Sequence, residues 1–336
     1  MSTVACITYR DLPQLTSEDQ LVCSYLQRYG VKTQAVIWDA PDVVWSTYEA
    51  AIVRSCWDYH LHPSTFSTWL TAMERLQAPL WNPAPILRWN MHKTYLRDLQ
   101  TQGVAIPPTR WLKRGCTAEL AAICAEQGWE EAVIKPAISA TAYDTWRITR
   151  AKGRQNQSRF AAMLQRSDVL VQQFMDPVVT YGEWSFVFFQ KQYSHAVLKK
   201  AKAGDFRVQD DFGGTVEVVS PGMTLIEQAQ QIVNCIKDPL LFARVDGIEL
   251  DGRLILMELE LIEPFLFLQS DPHAVERFAR AENICILRGR FLQQILDSNP
   301  LSSPVRTELP VEILYRISFI IGQDDMALRR IRPYSG

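Results

Sequence analysis

Several features that define other classes of protein are missing from this sequence of 336 residues. No apolar run is long enough to span a bilayer, and the first residues favour a strand rather than a signal peptide. The 35 basic and 37 acidic side chains give a formal net charge of −2, so no charge excess favours nucleic acid or an anionic membrane. The seven cysteines are scattered, without a CxxC pair. We therefore expect a cytoplasmic protein with reduced thiols and with neither nucleic acid nor a membrane as partner.

A G-x-G-x-x-G sequence is also missing after the first strand-like segment, which disfavours a dinucleotide-binding fold of that type. Strand-like and helix-like segments nevertheless alternate. We predict strands over Val4–Thr8, Val31–Trp38 and Ala50–Trp57, and helices from Ser17 to Tyr29 and from Pro63 to about Gln77. Ser17 is the predicted N-cap of the first helix. This βαβ order predicts a parallel, doubly wound α/β lobe.

Beyond a proline-rich linker at residues 81–85, the pattern changes to helices mixed with antiparallel strands. The predicted elements are helices over Asn90–Gln102 and Ala118–Gln127, strands over Ala132–Pro136 and Asp168–Met175, a hairpin of Glu183–Phe189 and Tyr193–Lys199, a helix from about Thr224 to Lys237, and two strands joined across Asp251-Gly252. The central part is therefore expected to be α+β.

Two acidic residues interrupt the apolar, strand-like run Leu254–Ile262. Glu258 and Glu260 are two positions apart, so on a strand they point to the same face. Leu254 and Leu256 are expected on that face too, which argues against a solvated edge strand. Ionised carboxylates left unpaired in such a place cost several kcal/mol or more. A hard divalent cation would remove that cost, so the run predicts a metal site.

Asp246, just upstream, is a third candidate ligand, and the register of the hairpin tests it. A strict two-residue turn at Asp251-Gly252 would place Asp246 opposite Met257, on the wrong face for the glutamates. A three-residue loop or a bulge would restore the match. The metal hypothesis therefore predicts that the turn is not the simple two-residue kind.

Oxygen ligands favour Mg²⁺, which usually bridges to phosphates, and the chain supplies cations for phosphate at separated positions. These are Lys93, Lys135, Lys199, Lys200, Lys202, Arg207 and Arg244. Lys135 lies within the apolar strand Ala132–Pro136, where a lysine either reaches out to water or meets an anion. The small residues that follow at 137–142, Ser139 among them, can bring backbone N–H groups near a phosphate.

The order of these motifs resembles that of the ATP-grasp carboxylate–amine ligases. Lys199–Arg207 (KKAKAGDFR) is similar to the glutamate-ligase and glutathione-synthetase branch. Arg54–Tyr59 (RSCWDY) and Met257–Pro264 (MELELIEP) resemble a narrower subgroup that includes the cycloserine-forming cyclo-ligase. The resemblance extends over roughly Val4 to Ala281 and rests on six motifs in the same order.

The resemblance implies a role for each matched residue. Lys93 and Lys135 match the lysines that hold the α- and β-phosphates, with Ser139 in the phosphate loop. The hinge that binds adenine is matched by Gln172, Gln173, Phe174 and Met175, and the acid that binds the ribose hydroxyls is matched by Glu183. Lys199 and Arg207 match cations near the γ-phosphate and the acyl phosphate, and Arg244 would lie beside the transferred phosphate. Asp246, Glu258 and Glu260 match the metal ligands, with Glu258 bridging two ions. Glu260 stands where the broad family commonly has Asn.

The implied fold is an ATP-grasp fold in four parts. Residues 1–88 form the doubly wound parallel substrate lobe, and residues 89–167 and 168–285 form small and large α+β lobes that clamp ATP between antiparallel sheets. Residues 286–336 form a C-terminal extension without an assigned role. Two hypotheses stay open with equal weight for four residues of the first lobe: they bind the substrate, or they pack at a βα junction. These residues are Arg54, Trp57, Asp58 and Tyr59.

The implied activity is that of an ATP-dependent ligase. It would activate a small carboxylate, such as an amino acid, as an acyl phosphate and couple it to an amine, releasing ADP and phosphate. The implied cofactors are ATP and two Mg²⁺ ions, with Mn²⁺ as an alternative, and the protein is expected to be a monomer or a homodimer. One alternative is an intramolecular cyclo-ligase, and another is a nucleotide-binding sensor or partner-binding module without turnover.

Overall fold

The computed structural model describes residues 3–76, 79–202, 204–208, 213–283 and 285. The chain divides into one unit of residues 1–281 and a second of residues 282–336. The predicted C-terminal extension, residues 286–336, lies outside the described residues. The first unit contains three sheets, and the predicted lobe boundaries at residues 88 and 167 stay predictions.

The first sheet is parallel, with strand order β2-β1-β3-β4. Its elements are β1 (Thr3–Thr8), α1 (Ser17–Arg28), β2 (Lys32–Ile37), β3 (Ala50–Ser55), α2 (Pro63–Arg75) and β4 (Leu80–Trp81). Every residue of β3 is buried, as expected for a central parallel strand. Thr16 caps α1 in place of the predicted Ser17, since the Asp19 N–H donates to the Thr16 hydroxyl at 3.1 Å. The predicted parallel α/β lobe is confirmed.

The predicted start of the helix over Asn90–Gln102 is wrong, because one short helix ends at Asn90 and the next begins only at Tyr95. They are α3 (Ala84–Asn90) and α4 (Tyr95–Thr101), with a break between them. In the break the Lys93 N–H donates to the carbonyl of Ala137 at 2.7 Å. That bond ties the break to the chain just beyond the strand that carries Lys135, so two predicted phosphate-binding lysines lie near each other.

The second sheet is antiparallel, with strand order β5-β8-β6-β7. Its elements are β5 (Thr109–Leu112), α5 (Leu120–Gln127), β6 (Glu131–Pro136), β7 (Trp146–Thr149), α6 (Gln157–Arg166) and β8 (Val169–Gln173). Alternate residues of β6 are buried, and its Ala132 and Ile134 pack in one core with Phe160 and Leu164 of α6. Lys135 therefore points to the opposite face.

The third sheet is antiparallel as well, with strand order β11-β10-β9-β12-β13. It consists of β9 (Glu183–Phe189), β10 (Gln192–Lys200), β11 (Thr215–Glu217), β12 (Phe242–Leu250) and β13 (Arg253–Glu260), with the short α7 (Pro177–Thr180) before it and α8 (Met223–Asn234) between β11 and β12. One face packs on α8 and α4, where Phe186, Phe188 and Val245 join the largest core. The other face is left for a cavity.

The β12–β13 turn corrects the expectation about the hairpin register. Leu250 pairs with Arg253, so Asp251-Gly252 is a two-residue turn with positive φ at both positions (50° and 73°). A β-bulge further along restores the register, because Asp246 pairs with Glu258 while Gly247 pairs with Leu256. The predicted turn was wrong, but the bulge places Asp246 opposite Glu258, as the metal hypothesis requires.

The same bulge reverses the faces of β13. Leu254 and Leu256 are buried in the core with α8, whereas Met257, Glu258 and Glu260 line the cavity. The expectation that these leucines share a face with the glutamates was therefore wrong. One extra residue in a strand exchanges the two faces beyond it.

Strand β13 lies at the edge of its sheet, yet its backbone is not left to solvent. The Leu256 N–H donates to the Ala105 carbonyl at 2.8 Å, and the Leu259 N–H donates to the Tyr95 hydroxyl at 3.1 Å. The flanks of α4 thus cover the edge, which protects the strand from pairing with another chain. Within the residues that the structure describes, none of the helices has both the length and the apolar character needed to cross a bilayer.

Candidate active site

A cavity of about 420 Å³ is bounded by the second and third sheets and by two aromatic residues of the first lobe. Lys200 and Lys202, two of the predicted cations for phosphate, do not line it. Every residue to which the family resemblance gives a role in nucleotide binding, metal binding or catalysis contributes to its wall. These are Lys93, Lys135, Ser139, Gln172, Gln173, Phe174, Met175, Glu183, Lys199, Arg207, Arg244, Asp246, Glu258 and Glu260. Their roles stay predictions, but the fold brings all of them to one place.

Asp246 is the most heavily bonded carboxylate of the cavity and is 2% exposed. Arg244 binds it with two nitrogens, Nε to Oδ1 at 3.0 Å and Nη2 to Oδ2 at 2.9 Å. Lys199 Nζ lies 3.1 Å from Oδ2, and the Ser185 hydroxyl donates to Oδ1 at 2.6 Å. Burial alone would raise the pKa of Asp246, but Arg244 and Lys199 prevail and hold it below its usual range.

Lys199 lies between two acids, since its Nζ is also 2.6 Å from Glu183 Oε1. Burial opposes its charge, yet Asp246 and Glu183 prevail and raise the pKa of Lys199. The pKa of Glu183 is raised as well, by burial and in opposition to Lys199. The predicted ribose-binding acid and the predicted γ-phosphate cation are thus paired with each other.

The two glutamates of β13 have different partners. Glu258 is ion-paired with Lys93, and Glu260 is ion-paired with Arg244. The pKa of Glu258 is lowered, because Lys93 and Lys135 outweigh the effect of burial. Burial raises the pKa of Glu260 to about 7, although Arg244 opposes the rise. Glu258 is therefore the better ionised of the two near neutral pH.

The predicted metal ligands share one wall but do not form a ready-made metal cage. Among the described residues, no group of three His, Cys, Asp or Glu side chains converges closely enough to hold an ion. The donor chemistry still fits, because Asp246, Glu258 and Glu260 supply only oxygen ligands, which Mg²⁺ prefers. Glu258 and Glu260 are also partly accessible, at 35% and 25% of their side chains. A metal would have to take the place of Lys93 and Arg244.

Lys135 differs from the other cations of the cavity. No described residue forms an ion pair or a hydrogen bond with its ammonium group, whereas Lys93, Lys199 and Arg244 each have an acid. Burial, together with the charge of Lys93, lowers the pKa of Lys135 to about 8. An unpaired cation that is partly removed from water stabilises a bound anion, so this is the strongest feature for phosphate binding.

The predicted adenine end of the cavity is apolar. Phe174 is 7% exposed and stacks with the Arg147 guanidinium, which lies 3.5 Å from the ring centroid. Met175, Val178 and Met257 line the same wall. An apolar wall of this kind suits a purine ring.

Some of the predicted nucleotide and phosphate residues also have partners within the chain. The Gln172 amide donates to the Thr109 hydroxyl at 3.0 Å, and the Ser139 hydroxyl donates to the Pro136 carbonyl at 3.3 Å. Arg207 is ion-paired with Asp205 at 2.7 Å. These contacts orient the side chains at the cavity wall.

The four predicted substrate residues separate into two pairs. Trp57 and Tyr59 line the cavity, whereas Arg54 and Asp58 do not. Arg54 is 4% exposed and binds Asp19 at 2.8 Å, and Asp58 accepts a hydrogen bond from the Trp38 indole at 2.9 Å. The structure gives Arg54 and Asp58 packing partners, while substrate binding by Trp57 and Tyr59 stays a prediction.

Glu263 was not singled out from the sequence, although it lies in the motif MELELIEP. It is 8% exposed and lines the cavity, and the Trp57 indole donates to its backbone carbonyl at 3.1 Å. Burial raises the pKa of Glu263 well above its usual value, and Glu260 and Glu258 add to the rise. The signal that could have found it is a third glutamate three residues after Glu260, just before a proline.

Two antiparallel sheets around a cavity of lysines and carboxylates, preceded by a parallel lobe, form an ATP-grasp fold, and the chain is similar to ATP-grasp ligases. Residues 4–82 match the family model described as "D-cycloserine synthetase DcsG, N-terminal domain". The cycloserine biosynthesis protein DcsG of Streptomyces lavendulae is 29% identical over 268 residues, which cover 75% of this chain and 88% of that protein.

Solved structures agree with this assignment. The crystal structure of D-cycloserine synthetase DcsG is 25% identical, covers 86% of this chain and 100% of its own, and has a TM-score of 0.75. A D-alanine–D-alanine ligase from Bacillus anthracis is 15% identical, with 88% of this chain and 99% of its own covered and a TM-score of 0.63. The latter supports the fold alone. The predicted ATP-grasp fold and the resemblance to the cyclo-ligase subgroup are confirmed.

Proposed function

We propose that the protein is an ADP-forming carbon–nitrogen ligase that activates a small carboxylate with ATP and joins it to an amine. The observation that carries this function is Lys135, an unpaired cation in the same cavity as Asp246, Glu258 and Glu260. That combination suits the polyphosphate and the divalent cation of Mg-ATP. A D-alanine–D-alanine ligase with this fold has been solved with ATP, which supports the same cofactor here.

The reaction needs positioning and charge neutralisation more than covalent chemistry by the protein. The substrate carboxylate attacks the γ-phosphate, ADP leaves, and the resulting acyl phosphate loses phosphate when an amine attacks its carbonyl carbon. Lys93, Lys135 and Lys199 would bind phosphate oxygens, and Arg244 would neutralise charge on the transferred group. Bound Mg²⁺ supplies further neutralisation of the phosphate charge.

Phosphate release is the direct test. Purified protein with Mg-ATP is expected to release phosphate with at least one member of a panel of amino acids, hydroxy acids and keto acids. Hydroxylamine, added as a general nucleophile, should convert the acyl phosphate into a hydroxamate. Lack of phosphate release with every acid, together with no rise in melting temperature on adding Mg-ATP, would rule out the ligase.

An intramolecular ring closure is the second candidate, and the relationship to DcsG, named as a D-cycloserine synthetase, favours it. The mass of the product separates the two reactions. A product lighter than a single substrate by one water indicates cyclisation, and a product that combines two substrates indicates intermolecular ligation. A protein without turnover is disfavoured, because a sensor has no need for the full set of cations and carboxylates that surrounds the cavity.

The number of metal ions is a further proposal. We expect two ions held by Asp246, Glu258 and Glu260, with Glu258 between them and with Mn²⁺ able to replace Mg²⁺. Electron paramagnetic resonance of Mn²⁺ with a non-hydrolysable ATP analogue should count two bound ions per chain.

The substitution Glu260→Asn tests the extra acid of this chain. It is expected to raise the Mg²⁺ concentration needed for half-maximal phosphate release by roughly 10-fold or more, since it removes one of three carboxylates. Glu217→Gln, at an exposed glutamate paired with Lys200, is the matched control and should leave the Mg²⁺ dependence unchanged. An unchanged Mg²⁺ requirement in Glu260→Asn would mean that the negative charge of Glu260 does not contribute to metal binding, since the Asn carbonyl oxygen can still coordinate the ion. Cytoplasmic location and a monomeric or dimeric state stay predictions.

A further inference from the structure

The cavity contains one buried acid that the proposed chemistry does not use. The other acids of its wall each have a cation: Asp246 has Arg244 and Lys199, Glu258 has Lys93, and Glu183 has Lys199. Glu263 has none, because no described residue forms an ion pair or a hydrogen bond with its carboxyl group. It is nonetheless more than nine-tenths buried.

The two cations that affect Glu263 electrostatically are ion-paired with other acids. Lys93 and Arg244 act on it from a distance. Lys93 is paired with Glu258. The guanidinium of Arg244 binds Asp246 through Nε, the Phe265 carbonyl through Nη1 at 2.8 Å, and Glu260 through Nη2. The protein therefore leaves this acid without a counter-ion, at a position where an isolated charge is costly.

The position of Glu263 is fixed by two parts of the chain. The Trp57 indole, from the first lobe, donates to its carbonyl, and Pro264 follows it. Tyr59 is close by: burial raises the pKa of its phenol, and Glu263 is the charged group that adds most to that rise. Trp57, Tyr59, Phe265 and Phe267 all line the cavity. These rings share the cavity wall with Glu263, and aromatic rings in the same site as an acid form a suitable environment for an ammonium ion.

We propose that Glu263 is the subsite for the ammonium group of the substrate, so that the acid which the enzyme activates is an amino acid rather than a hydroxy acid or a simple carboxylate. This inference rests on the proposed ligase function for the activation step, but the subsite itself concerns binding. The ammonium group of the substrate would be the counter-ion of Glu263, which has no ion-pair partner among the described residues. A substrate without it leaves the acid unpaired and binds more weakly.

Binding to matched pairs of compounds tests the subsite without any need for turnover. Alanine is compared with lactate, and serine with glycerate, each as both enantiomers, by saturation-transfer NMR and calorimetry, with and without Mg-ADP. The expected result is that at least one amino acid binds at least 10-fold more tightly than its hydroxy partner. Glu263→Gln should lower the affinity for that amino acid at least 10-fold and leave the hydroxy acid within about 3-fold.

Glutamine is an informative substitution, because it has the shape of a protonated glutamate and no charge. A Glu263 that is only a neutral packing group would therefore tolerate it. Glu263→Asp keeps the charge on a shorter side chain and should retain part of the preference for amines. Glu249→Gln, at an exposed glutamate near the end of β12, is the control for loss of one negative charge.

The inference is overturned if the native protein binds no amino acid more tightly than its hydroxy partner, if it binds none of the amino acids, or if Glu263→Gln keeps the preference. The Mg-ATP thermal shift and the hydroxamate assay, run on the same samples, report separately on the ligase function. Amine-dependent binding without a nucleotide shift would retain the subsite and reject the ligase. A nucleotide shift and hydroxamate formation without a preference for amines would retain the ligase function and reject the subsite.

Discussion

Replacing Lys135 by methionine is expected to reduce strongly the rise in melting temperature that Mg-ATP causes, and at the same time to stabilise the nucleotide-free protein. Lys135 is the cation of the cavity whose ammonium group has no acid partner among the described residues, so bound phosphate is its counter-ion. A hydrogen bond between charged groups contributes about 1.5–3 kcal/mol, so ATP should bind roughly 10- to 150-fold more weakly. Methionine keeps the length of the side chain and avoids leaving a hole.

The stability of the nucleotide-free protein follows from the pKa of Lys135, which burial lowers from 10.5 to about 8. Between these values the unfolded chain binds the proton and the folded chain does not, so the native protein gains stability as pH rises through this window. Below pH 8 the buried charge opposes folding. Lys135→Met should therefore raise the free energy of unfolding by about 1–3 kcal/mol at pH 7, and the gain should fade above pH 10.

Chemical denaturation at pH 7 and pH 10, and thermal shifts with and without Mg-ATP, measure both effects. Lys113→Met is the control, because Lys113 is 77% exposed on its side chain and is paired with Asp168 outside the cavity. It should change neither quantity by more than a small amount. A Lys135→Met protein that still shows the native nucleotide shift would exclude Lys135 from phosphate binding, and one that is less stable would contradict the unpaired, buried charge.

The metal strand shows how much of the site the sequence could predict. The pattern identified Asp246, Glu258 and Glu260 as one group, because residue type and spacing are local properties. The bulge between Asp246 and Gly247, opposite Glu258 and Leu256, is not local, since it depends on how two strands share one register across a turn. The sequence correctly grouped the three carboxylates. One of the reasons was wrong, because the glutamates do not share a face of the strand with Leu254.

The prediction of one continuous helix over residues 90–102 failed for a similar reason. Residues 90–102 have helical periodicity, and no glycine or proline marks a stop inside them. The break at residues 91–94 is fixed by a tertiary contact, the bond from the Lys93 N–H to the Ala137 carbonyl. A single sequence does not contain that partner, yet the contact is what brings Lys93 to Glu258.

Arg54 and Glu263 show the limit for individual charged residues. Arg54 follows a buried strand and was a reasonable substrate residue, but Asp19 from α1 neutralises it inside the fold. Glu263 appeared unremarkable beside two metal-ligand candidates, and its importance comes from having no neutralising partner. Whether a buried charge is paired within the protein depends on long-range contacts, which composition and spacing do not show.

Asp246→Asn is expected to have the largest effect on stability of any single substitution in the cavity, and to remove turnover as well. Asp246 is the acid that both Arg244 and Lys199 share, at 2.9 and 3.1 Å. Removing one partner of a buried ion pair leaves the other charge uncompensated, which typically costs about 3–5 kcal/mol. As a predicted metal ligand it should also be needed for Mg²⁺-dependent phosphate release, with a loss of roughly 100-fold or more.

The pH dependence of the free energy of unfolding separates the effect of the Asp246 charge from the effect of the side chain's shape. Arg244 and Lys199 hold the pKa of Asp246 below its usual value of 3.8, so its contribution is complete above that value and is lost as pH falls through the lower, folded-state pKa. The difference in unfolding free energy between native protein and Asp246→Asn should therefore be constant above about pH 4 and shrink in stronger acid.

Ser185→Ala is the matched control for Asp246→Asn, because it removes a single hydrogen bond to the same carboxylate and leaves both ion pairs. It should cost about 1 kcal/mol and change turnover by only a few-fold. A loss of stability in Asp246→Asn no greater than in Ser185→Ala would mean that Glu183 and Glu260 compensate Lys199 and Arg244 on their own. Native phosphate release by Asp246→Asn would remove Asp246 from the metal site, whatever its effect on stability.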